Sequence, residues 1–131
     1  MNRTTKKFSF YGAIFMALAV GFGAFGAHGL KNIVTKDMLV IFHTGVEYQF
    51  YHALGLFCVA FVANFNDSKR VIFAGYSMIF GIVVFSGSLY IMTLTGIKIL
   101  GAITPIGGVA FIAAWVLLAS AIKKAKSITP S

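Results

Sequence analysis

The chain has 131 residues, enough for one domain, and carries a net charge of +8 although only 11% of its residues are charged. It is 59% hydrophobic with a mean hydropathy of +0.90, whereas soluble domains average about 45–50% apolar and about 25% charged residues. So few charges exclude a water-exposed globular surface. With no nucleic-acid-binding motif and no basic helix face, the bases point to anionic lipid head groups rather than to nucleic acid.

Four windows free of Asp, Glu, Lys and Arg follow one another, at 8–30, 48–66, 71–97 and 99–122. A bilayer core about 30 Å thick takes about 20 helical residues, so each window reads as a membrane-spanning helix. Barrel strands would instead alternate apolar and polar residues. The expected fold is all-α: an integral membrane four-helix bundle forming a single membrane domain over 1–131, with spans at about 8–29, 45–65, 71–95 and 105–122.

The first span follows the basic start MNRTTKK. That start also resembles a signal peptide, with AFG at 24–26 in the place of a cleavage site. The length of the apolar run and the three later spans favour a retained helix. Lipid tails are as apolar as leucine, so small residues that permit close approach drive association. Two such rows stand out in the first span, Ala13, Ala17 and Gly21, and Ala19, Gly23 and Ala27. Ser77 and Gly81 offer a third in the third span, and Ala110 and Ala114 a fourth.

Residues 31–44 precede the second span. Thr35 or Asp37 is a usable cap for a helix running from about 38. A single helix from there to 64 would be about 40 Å long, so the favoured reading lays this segment along the outer interface with a bend near Gly45. The second span opens with HTGVEYQFYH, 43–52. On a helix Thr44, Glu47, Tyr48, Tyr51, His52 and Gly55 share one face, and a polar face toward lipid is costly, so the stripe is expected to face the bundle interior. Cys58 reads as a buried small hydrophobe. The third span carries FSGSLY, 85–90, toward its outer end, and the fourth starts at Thr104-Pro105, with Thr as N-cap and Pro in the first turn.

Arg3, Lys6, Lys7, Lys69, Arg70, Lys123, Lys124 and Lys126 fall on one side of this topology, and Lys31, Lys36 and Lys98 on the other. Eight against three places both termini in the cytoplasm by the positive-inside rule. The polar membrane residues then converge in the outer half: His28, His43, Thr44, Glu47, Tyr48, Tyr51, His52, Ser86, Ser88 and Tyr90. They admit three readings. One is a structural hydrogen-bond network in which Glu47 pairs with His43, His52 or a serine of the third span. The second is a metal or haem site, built on His43 and Glu47 one helical turn apart with His28 near; a site for a lipid head group or quinone stands outside the three. The third is a proton- or solute-handling site.

The motifs FGAHGL (25–30), TGVEYQFYHALGL (44–56), FSGSLY (85–90) and TPIGG (104–108) together resemble a small bacterial inner-membrane family of unknown function, the YgdD and YwdK type, which has small eukaryotic transmembrane relatives. The resemblance covers roughly 8–122. It implies a four-helix, multi-pass protein of the bacterial cytoplasmic membrane and brings no catalytic residue with it. No nucleophile–base pair or phosphate loop is present in the sequence, so no enzyme, no cofactor and no metal centre is expected. The expected role is support of membrane integrity or of the assembly of other membrane proteins, by a chain that self-associates. The alternatives are a small transporter, channel or proton-coupled component using Glu47 and the histidines, or a metal-, lipid- or quinone-binding membrane protein.

Overall fold

Asn2 starts the first helix. Its side-chain oxygen accepts from the Thr5 amide at 2.8 Å, filling one of the free donors of α1, Arg3–His28. The computed structural model describes residues 1–126; the end of the domain expected over 1–131 lies outside the described residues. A turn at 29–34 leads to Thr35, whose hydroxyl accepts from the Met38 amide at 3.2 Å and caps α2, Lys36–Phe65. Asp37 in its first turn complements the helix dipole.

The 30 residues of α2 run without interruption, about 45 Å. This corrects the bend expected near Gly45 and the separate interfacial segment expected over 31–44. Gly45 is there for a different reason. A Cβ at Gly45 would come within 2.8 Å of the Tyr90 ring, so the glycine admits a close neighbour and does not break the helix.

Ser68 caps α3, Lys69–Gly81. The chain continues through a π-helical turn, Ile82–Ser86, into α4, Gly87–Thr95. Gly96 ends α4 in the left-handed region at φ 74°, where glycine carries no steric cost. A 3₁₀ turn, Lys98–Ala102, precedes α5, Thr104–Lys124. Pro105 sits in the first turn of α5 as expected, but Thr104 does not cap it. Ile103 holds the cap position with no side-chain bond, and the Thr104 hydroxyl turns to a neighbouring helix instead.

The described chain is all-helical, with four helices long and apolar enough to cross a membrane: Arg3–His28, Lys36–Phe65, Lys69–Thr95 and Lys98–Lys124. α2 is the central element. It packs against α1 on one side and against α3, the π turn and α4 on the other, while α5 packs chiefly on α3 and the π turn. Large side chains seat against glycine notches. A Cβ at Gly75 would collide with the Phe8 ring, and one at Gly107 with the backbone of Phe85.

The small-residue rows need correcting. Ala13, Ala17 and Gly21 are exposed, on the side of α1 away from α2. Ala19 is buried, Gly23 half-buried and Ala27 exposed; in the third span Gly81 is buried and Ser77 half-buried. The residues of α1 that reach the interior are Phe8, Gly12, Ala19 and Gly26. Gly12 lies against Phe57 and the Ala53 carbonyl, and Gly26 against Phe42. Both faces of α1 carry small residues, and the aromatic rings facing it select the one that packs.

One end of the bundle is tied by polar contacts. Asn2 donates to Ala63 O at 2.8 Å, Thr5 to Ala60 O at 2.9 Å, and Asn66 to Ala121 O at 3.1 Å. Arg70 donates to the Ser120 hydroxyl, and Lys7 donates to the Tyr76 hydroxyl at 2.8 Å. These contacts bring the start of α1, the 66–70 connection and the end of α5 together, so the eight bases that flank them gather at one end.

Candidate functional site

The polar interior is built around a residue that the stripe argument leaves out. Gln49 is 2% exposed. Its side-chain amide donates to the Phe15 carbonyl of α1 at 2.8 Å, and its oxygen accepts from the Tyr90 hydroxyl of α4 at 2.6 Å. One amide thus links three helices. The Ser86 hydroxyl, fully buried, donates to the Gly45 carbonyl at 2.6 Å. Ser88 and Thr104 share a hydrogen bond at 2.6 Å between α4 and α5. Thr93 bonds back to Leu89 O at 2.8 Å.

The π turn sets this geometry. A single-turn π segment holds one residue more than the α-helical path and shifts the facing of everything after it. Gly87 N–H bonds Ile82 O, five residues back. Through this shift Ser86 meets Gly45 and Tyr90 meets Gln49. Phe22 and Phe42 pack on the Tyr90 ring at centroid distances of 5.0 Å, fixing the hydroxyl over the amide.

His52 is buried. Its Nδ1 lies 2.8 Å from the Tyr48 carbonyl one turn earlier, and its ring stacks on Phe111 of α5 at 3.5 Å and 9°. Tyr48 packs on Phe85 at 4.6 Å. Of the predicted cluster, the structure therefore brings His52, Ser86, Ser88 and Tyr90 into the interior.

The other members lie elsewhere, which corrects the inward-facing stripe. Glu47 is exposed, Tyr51 is 53% exposed and Tyr48 sits at the edge. Among the described residues Glu47 makes none of the bonds expected to His43, His52 or the serines of the third span. Thr44 is half-buried and its hydroxyl returns to Val40 O at 3.0 Å. His28 is exposed near the end of α1, and His43 is half-buried beside Gly26. His28, His43 and Glu47 do not converge, and among the described residues no group of three or more His, Cys, Asp or Glu side chains is placed to hold a metal ion. Cys58, expected to be buried, is exposed.

The inward face of α2 consists of Phe42, Gly45, Val46, Gln49, His52, Ala53, Gly55, Leu56, Val59, Ala60 and Ala63, so of the predicted stripe His52 and Gly55 do face inward. Its mark is small size, not polarity. A glutamine placed three or four residues from Gly45 and Ala53 was the available signal for Gln49. Every buried side-chain nitrogen and oxygen among the described residues has a hydrogen-bond partner. What this interior does chemically is hold helices in register with neutral bonds.

Comparison with known proteins agrees with the four motifs. Residues 22–108 match the family model described as "Protein of unknown function (DUF423)". The UPF0382 membrane protein YwdK of Bacillus subtilis is 55% identical over 120 residues, covering 91% of this chain and 98% of its own. UPF0382 membrane proteins of Staphylococcus saprophyticus and Staphylococcus epidermidis are 49% and 47% identical, over 86% and 91% of this chain and 93% and 97% of theirs. No solved structure matches the chain. An all-helical chain with four helices able to cross a membrane, most of its length aligned with these proteins, belongs to the UPF0382 (DUF423) family of membrane proteins of unknown function.

Proposed function

We propose that the chain is a non-enzymatic, multi-pass protein of the bacterial cytoplasmic membrane that supports membrane integrity or the assembly of other membrane components, and that it self-associates through the outward face of α2. Both termini lie in the cytoplasm in this reading. Its support is the gathering of eight bases at one end, where anionic head groups and the positive-inside bias favour them.

The observation that carries the proposal is the placement of Glu47. Every buried side-chain nitrogen and oxygen among the described residues is bonded, while the carboxyl group stands on the outside of a membrane helix. Glu47 is 18 residues from Phe65, about 27 Å from the basic end, and so within the outer part of the hydrocarbon layer. An ionisable group facing lipid there is costly. A neighbouring protein that supplies a donor removes the cost. A transport path would need Glu47 on the inside, and it is not.

A second copy fits this face. Two copies related by an axis along the membrane normal place equal residues at equal depth. The Tyr51 hydroxyl of one would then reach the Glu47 carboxyl of the other. Glu47, Tyr51, Leu54, Cys58 and Phe61 follow one another on the exposed side of α2, so the two Cys58 thiols would face each other. Copper-phenanthroline oxidation of native membranes tests this. Each pair of thiols loses two electrons to the oxidant and forms a disulfide. A dimer on a non-reducing gel, absent from Cys58→Ser and reduced in Glu47→Ala, is expected. A chain that stays monomeric under oxidation and in nanodiscs overturns self-association at this face.

A further inference from the structure

At the end of the bundle opposite the basic cluster, an open groove of about 800 Å³ separates the start of α2 from the end of α4 and the 3₁₀ turn. Met38 and Ile41 of α2 and Met92 of α4 give it an apolar wall. Asp37 and Lys98 line the same groove from its two sides. Asp37 is one of three acidic residues in the chain, and Lys98 one of three bases outside the basic cluster. The Thr93 hydroxyl lies 3.4 Å from Met38 O and ties the two sides together.

We propose that this groove binds a zwitterionic phospholipid carrying a primary ammonium, phosphatidylethanolamine, from the leaflet at that end. The helices end here, at head-group depth. Lys98 reaches the phosphate with its ammonium while its stem stays on apolar surface. Asp37 accepts hydrogen bonds from the ethanolamine ammonium. An acyl chain follows Ile41 and the methionines, whose flexible thioethers adapt to an irregular chain. A choline head group has no N–H to donate to Asp37. A glycerol head group has no cation, and leaves Asp37 facing a like charge. A groove of this volume holds the head group and the first part of one acyl chain, with the rest of the lipid in the bilayer. The inference rests on the chain spanning a membrane and not on self-association, so the Cys58 cross-link and this test fail independently.

The experiment uses the full chain in detergent, with phosphatidylethanolamine, phosphatidylcholine and phosphatidylglycerol of the same acyl chains, read by retained lipid in native mass spectrometry and by lipid-induced thermal shift. Preferential retention of phosphatidylethanolamine is expected. Asp37→Asn is expected to lose about tenfold in that preference. Lys98→Gln is expected to weaken phosphatidylethanolamine by a similar factor. Lys123→Gln with Lys124→Gln, at the far end, should leave the preference intact. Each variant is compared with its own lipid-free melting point, which separates binding from folding. Equal retention of the three lipids, a preference for phosphatidylglycerol, or an unchanged preference in Asp37→Asn overturns the proposal.

Discussion

Gln49 and Glu47 are two positions apart on one helix, and their environments are opposite. Gln49 spends both ends of its amide on other helices, Phe15 O and Tyr90 Oη. Tyr90→Phe leaves the Gln49 oxygen buried without its donor. Interhelical hydrogen bonds in membranes are worth about 0.6 kcal/mol on average and up to about 1.7, so a loss of about 1 kcal/mol is expected, read as a lower melting temperature in detergent. Gln49→Leu should cost at least as much, since it also strips the hydroxyl of its acceptor. Glu47→Leu is expected to behave differently. It removes an outward carboxyl with no partner among the described residues, so the melting temperature of the monomer should hold or rise while the Cys58 cross-link weakens. A clear fall in monomer stability for Glu47→Leu would return that residue to the structural network.

At the scale of elements, the π turn and the glycine notches decide how the helices meet. Gly107 of α5 lies so close to Phe85 that a Cβ would collide with its backbone. Gly107→Ala must push α5 away from the π turn, and overpacking of this kind costs about 1–3 kcal/mol. A melting temperature below that of Gly21→Ala is the expected outcome, because nothing lies within 4 Å of a Cβ at Gly21. Deleting the exposed Val83 would remove the extra residue of the π turn and leave an α-helical turn, with α4 facing as it does now. Ser86 and Tyr90 should then keep Gly45 and Gln49, so this deletion is expected to lower the melting temperature less than deletion of the exposed Phe73 in α3, which has no extra residue to lose and would turn all that follows by about 100°. The continuity of α2 belongs to this scale too: hydrogen exchange in nanodiscs should show protected amides through Phe42–Val46 as one stretch with the rest of the helix.

For the whole molecule, the topology places the 66–70 connection and both described helix termini at the basic end, and the 29–35 turn at the other. In a Cys58→Ser background, a cysteine at Asn32 should react with a membrane-impermeant maleimide in intact cells, and one at Asp67 only after permeabilisation. The reverse pattern would overturn the cytoplasmic placement of the termini. The same arrangement gives the molecule two unlike ends. One is densely basic and laced by polar contacts, and the other is open at the groove between Asp37 and Lys98.

Hydropathy and charge alone determined the helical class, the number of spans and their approximate limits. The physical cause is length: about 20 apolar residues between charges leave the backbone no other way to satisfy its hydrogen bonds in lipid. Thr35 and Pro105 were readable as the start of α2 and the first turn of α5, because caps and prolines act locally. Which side of each helix faces its neighbours was decided only by the tertiary structure. In lipid the hydrophobic effect does not sort faces, so polarity misplaced Glu47 and Tyr51 inside, and the four-residue spacing of Ala13, Ala17 and Gly21 pointed to a face left exposed among the described residues. Close approach sorted them instead: Phe8 against Gly75, Phe42 against Gly26, Tyr90 against Gly45. The π turn added the rotation that joins Tyr90 to Gln49, a displacement set by how α2, α4 and α5 fit together and not by any local preference of Ile82–Ser86.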